Sequence, residues 1–129
     1  MTLVTLKNSA LIELAFSVSL GWILACYQFG IPVKFIRDRR RLLQAHIDYI
    51  LMGMIQLILA TAVSSSTLYI TRRCELAFII GCWTNPSLFI FGAILPRSFT
   101  DLEINKIPMM LSFAVMTTAV FSLLADNFN

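Results

Sequence analysis

Four long apolar runs, each near the roughly 20 residues a helix needs to cross a bilayer, constrain this chain more than any other feature. The first, from about Ser9 to Phe29, holds one acid, Glu13, and closes at Gly30 and Pro32. The second runs from about Leu42 to Val63 and ends in Ser64-Ser65-Ser66-Thr67; the third runs from about Leu76 to Leu95 and stops at Pro96. The fourth, from about Ile107 to Ala125, opens at Lys106-Ile107-Pro108, proline being tolerated in a helix's first turn. The runs are continuous, whereas a membrane barrel is built from short alternating strands. The pattern predicts an all-α fold: a four-transmembrane-helix bundle, one polytopic membrane domain over residues 1–129, with spans at 9–29, 42–63, 76–95 and 107–125.

Charge is too scarce for any other solvent. Only 13% of the 129 residues are charged and 58% are hydrophobic, against roughly 25% charged in a soluble domain. No stretch is long and polar enough for a separate soluble catalytic domain or a DNA-binding module, so the lipid bilayer is the expected partner and nucleic acid is not. The basic residues set a topology. Lys34, Arg37, Arg39, Arg40 and Arg41 follow the first run, and Arg97 and Lys106 lie between the last two. Lys7, Arg72 and Arg73 fall on the other side. The positive-inside rule then places loops 30–41 and 96–106 in the cytoplasm and both termini outside. The tract from Arg37 to Arg41 reads as that topology signal and a contact for anionic lipid.

The first run exceeds the apolar core of a secretory signal, about 7 to 15 residues, and reads as a retained helix. Ile23-Leu24-Ala25-Cys26 has the form of a lipoprotein cleavage box that would lipidate Cys26, but such strings arise readily in apolar helices. Cys26, Cys74 and Cys82 have no metal-site spacing and read as small packing residues.

Ionisable and polar groups inside spans are costly and draw attention. His46, the sole histidine, falls about one turn into the second span. At helical spacing it shares a face with Ile50, Gly53 and Leu57, and with Arg39 if the helix begins that early. Gly53 then permits either close helix contact or the approach of a flat ligand. In the third span Gly81, Asn85 and Gly92 form a second small and polar stripe beside Pro86. On composition alone, ordinary helix packing is the commoner reason for such stripes, since small residues line membrane helix interfaces generally.

The tract Ala45-His46-Ile47-Asp48-Tyr49-Ile50-Leu51-Met52-Gly53-Met54, with Gly81-Cys82-Trp83-Thr84-Asn85-Pro86 and Gly92-Ala93-Ile94-Leu95 following in order, resembles hydroxylaminobenzene mutases and the related styrene oxide isomerases. The resemblance covers the second and third spans, about half the chain. It implies a small four-helix membrane protein that binds haem b between protomers of a homotrimer, with His46 as the axial iron ligand. Gly53 would lie in the haem site, with Arg39 and Arg41 pairing the propionates, and Asn85 and Tyr49 would be the catalytic candidates. Ferric iron would act as a Lewis acid on an apolar aromatic epoxide or hydroxylamine, driving a redox-neutral rearrangement. This chain departs from the family at Met52, where the relatives carry asparagine, and at Trp83, commonly tyrosine.

Two alternatives come from other classes. Glu13 in a first span resembles the proton-coupled carboxylate of small multidrug-resistance transporters, although its place about one turn inside the run leaves it within reach of the interface. A non-catalytic haem-binding or accessory membrane subunit is the other.

Overall fold

The structure, a computed structural model, describes residues 2–96 and 106–128. Among them are four helices: α1 (Thr2–Gln28), α2 (Arg39–Ser64), α3 (Arg72–Ile94) and α4 (Lys106–Phe128). All four are long and apolar enough to span a membrane, so the chain is an integral, multi-pass, all-α bundle. The expected cytoplasmic loop at 96–106, including Arg97, falls almost wholly outside the described residues.

Each helix extends beyond its apolar run because local chemistry, not hydropathy, sets its ends. Asp38 caps α2, its carboxylate accepting from the backbone N–H groups of Arg40 and Arg41 at 3.0 and 3.2 Å, so the arginines join the first turn. Thr71 caps α3 in the same way through the Cys74 N–H. At the end of α1, Gly30 takes φ of +73° while Gly30 N–H donates to the Tyr27 carbonyl and Ile31 N–H to that of Cys26. That pairing is a Schellman cap, and its left-handed residue favours glycine.

The helices pack in chain order: α1 against α2, α2 against α3, and α4 against α3, with a small direct contact between α1 and α3. Two apolar clusters fill the interior. One, at the end holding the start of α1 and the α2–α3 turn, gathers Leu6, Leu59, Ile70, Cys74, Phe78, Cys82 and Ala119. The other gathers Leu20, Ile36, Leu42, Ala45, Tyr49 and Ala93. The 29–38 loop closes this second end. The Arg37 and Asp38 amides donate to the Ala93 carbonyl at 2.8 and 3.1 Å, and the Tyr27 hydroxyl lies 3.0 Å from the carbonyls of Val33 and Ile36. At the opposite end Asn127 of α4 bridges the Tyr69 N–H and carbonyl at 2.7 and 2.8 Å.

Candidate functional site

His46 stands half-buried in the seam between α1 and α2. Its Nδ1 lies 2.7 Å from the backbone carbonyl of Ser17. A carbonyl only accepts, so Nδ1 carries the proton, and in the neutral ring Nε2 is left with a lone pair. The imidazole lies across Gly21, where an added Cβ would stand 3.1 Å from Cε1 and 3.7 Å from Nε2. The glycine thus makes room for the ring. Around the seam the outer surface is apolar: exposed Val18 and Trp22 follow Ser17 and Gly21 on α1, and exposed Leu43 and Ile47 flank His46 on α2.

The other residues singled out from sequence separate into two groups. Arg39 and Gly53, seven residues before and after His46, lie on the same α1-facing side of α2. Arg39 donates to Gln28 Oε1 of α1 and stands over the Tyr27 ring, 5.9 Å from its centroid. Gly53 serves helix contact rather than a ligand: an added Cβ would meet Leu14 Cγ at 2.9 Å and the Ala10 carbonyl at 3.2 Å. Within the chain, Leu14 fills that notch. Arg41 turns the other way, packing on Gly92 of α3 and lying 3.6 Å from Asp38. It does not share the His46 side of the helix.

Tyr49 is buried, at 1% exposure. Its hydroxyl shares a 2.7 Å hydrogen bond with Ser87 of α3, and its ring meets Phe16 and Trp83 edge-on, at centroid distances of 4.9 and 5.8 Å. Trp83 donates its indole N–H to Ser9 Oγ at 2.9 Å, tying α3 to α1. Asn85 is half-buried on α3, between Gly81, which receives Met116 of α4, and Gly92. No hydrogen bond or ring contact joins Tyr49 or Asn85 to His46 within the chain. Met52 packs on the cluster around Leu6 and Phe78.

Glu13 is deeper than the apolar run implies. Because α1 begins at Thr2, the carboxyl stands about three turns into the helix, and its side chain is fully buried. It adjoins the side-chain amide of Gln56 on α2, a residue that sequence reasoning misses. Both side chains are at 0% exposure, and none of their four polar atoms has a hydrogen-bond partner. An amide inside an apolar run is the one signal that points to Gln56.

Comparison of the chain with protein-family models, with curated proteins and with solved structures finds no match.

Proposed function

We propose that this chain binds haem b through His46 Nε2 and catalyses the redox-neutral rearrangement of an apolar aromatic epoxide or aryl hydroxylamine within the bilayer. The observation that carries the reading is the 2.7 Å contact from His46 Nδ1 to the Ser17 carbonyl. Histidines that ligate metals characteristically donate the other ring nitrogen to such a partner, which fixes the tautomer and the ring orientation. His46 has this arrangement before any ligand arrives, and its Nε2 has no hydrogen-bond partner among the described residues.

The residues fit the group on three counts. His46 supplies an imidazole lone pair. The exposed apolar surface of Val18, Trp22, Leu43 and Ile47 suits a macrocycle laid against the outside of the α1–α2 seam, and a second protomer of a homotrimer would cover it. Arg39, on the His46 side of α2 and bonded only to the neutral Gln28 amide, keeps its charge for an anionic propionate. Arg41 is committed to Asp38 and Gly92 and has the lesser part. Haem held there by His46 would supply Lewis-acid chemistry for the rearrangement. The chain's own contribution is to hold the imidazole still, to keep water from the apolar outer face, and to admit substrate from lipid. Asn85 and Tyr49 lie away from His46 in one chain, so any part they take involves a neighbouring protomer or the placement of α3. In the membrane we place loop 30–41 in the cytoplasm and both termini outside.

The test is product formation. Protein purified with haem and supplied with an aryl epoxide or an aryl hydroxylamine is predicted to yield the carbonyl compound or the aminophenol, with the activity lost in His46→Ala. Haem-loaded protein that leaves both substrates unchanged would reduce the reading to haem binding alone.

A further inference from the structure

The buried polar atoms without a partner among the described residues number five, and four of them belong to Glu13 and Gln56. The pair lies between the two apolar clusters, with Glu13 about 16 Å along α1 from the start of the helix at 1.5 Å per residue. We infer that Glu13 and Gln56 form an intramembrane proton-binding site, in which the glutamic acid holds a proton at neutral pH and pairs with the glutamine amide across the α1–α2 seam. This inference is independent of haem.

An ionised carboxylate has no support in this place. The ion pairs among the described residues are Arg41 with Asp38 and Arg72 with Glu75, and the one imidazole is turned to the Ser17 carbonyl. The titratable groups that face Glu13 are Tyr49 from α2 and Cys82 from α3, neither of them cationic. From α2 the other neighbour is the neutral amide of Gln56, and α4 packs on α3 instead. A bare charge in such a medium is neutralised by taking up a proton.

Once the acid is protonated, acid and amide can pair through both acid oxygens, the amide oxygen and one of the two Gln56 Nε2 hydrogens. The acid O–H donates to Gln56 Oε1 and the acid carbonyl accepts from Gln56 Nε2, a cyclic acid–amide pair that a small rotation of either side chain completes. A hard cation is a poor alternative, because two side chains offer three oxygens where calcium asks for about six to eight. An organic cation has no room, since Leu14 occupies the gap at Gly53. The chemistry of the site selects the proton. Releasing it requires water to enter, or α1 to part from α2, along the seam that also holds His46 against Ser17.

Infrared spectroscopy of the full chain in liposomes, in light and heavy water, tests this. At neutral pH the wild type is predicted to show a protonated carboxylic-acid carbonyl band that shifts in heavy water. Glu13→Gln removes the band. Gln56→Leu, which keeps the acid and deletes its partner, moves the band to higher wavenumber. The absence of an exchangeable acid band in the wild type, or a band undiminished in Glu13→Gln, overturns the inference. If Glu13→Gln fails to fold, Gln56→Leu decides alone, and an unmoved band there overturns the inference equally.

Discussion

A carbonyl cannot donate a hydrogen bond, and at His46 that elementary fact assigns a proton. The 2.7 Å contact with the Ser17 carbonyl places it on Nδ1, so that in the neutral ring the lone pair is on Nε2. Gly21 makes the contact possible by lacking a side chain. An added Cβ would stand 3.1 Å from Cε1, so a branched side chain forces the ring out of its place. Gly21→Val is predicted to break the Ser17 bond and to turn a single Nδ1–H tautomer into a mixture, as read by nitrogen NMR of the imidazole. An unchanged tautomer would show that the glycine does not set the ring position. His46 and Glu13 are legible in the sequence because an ionisable group stands out in an apolar run. Gln56 is far less so, because its only mark is an uncharged amide within an apolar run. Ser17 acts through its backbone carbonyl, which every residue possesses and no residue pattern reveals.

At the scale of the elements, the number and order of the helices follow from the apolar runs, and their ends follow from capping chemistry. Asp38 and Thr71 start α2 and α3 several residues before the runs they carry, and α1 extends well ahead of Ser9. Which faces meet is far less legible. In water an amphipathic stripe marks the buried side of a helix, but lipid is as apolar as a helix interface, so membrane helices carry little such contrast. Gly53 illustrates this, since its sequence position permits either a ligand notch or close packing and only the placement of Leu14 and the Ala10 carbonyl decides. The packing role makes a prediction. Gly53→Val must push α1 away from α2, and overpacking of this kind costs about 1 to 3 kcal/mol. The loss is measured as a lowered unfolding midpoint in detergent. A variant as stable as the wild type would mean that the seam is looser than the glycine contact requires.

At the scale of the whole molecule, the bundle is asymmetric. α1, α2 and α3 supply most of the two apolar clusters, while α4 packs chiefly on α3, adds Ala119 to one cluster and holds Tyr69 of the α2–α3 turn through Asn127. Its contacts with α3 include Met116 on Gly81, the Cys74 thiol donating to the Ala119 carbonyl and a 3.0 Å hydroxyl pair between Ser112 and Thr84. Beside the half-buried imidazole the surface carries exposed Val18, Trp22, Leu43 and Ile47, with Arg39 about two turns away along α2. The central claim is that His46 holds haem iron there, and the visible spectrum of the protein purified from haem-replete cells tests it most directly. A Soret band in the wild type that is absent from a folded His46→Ala variant is the predicted result, and a folded, colourless wild type would contradict it.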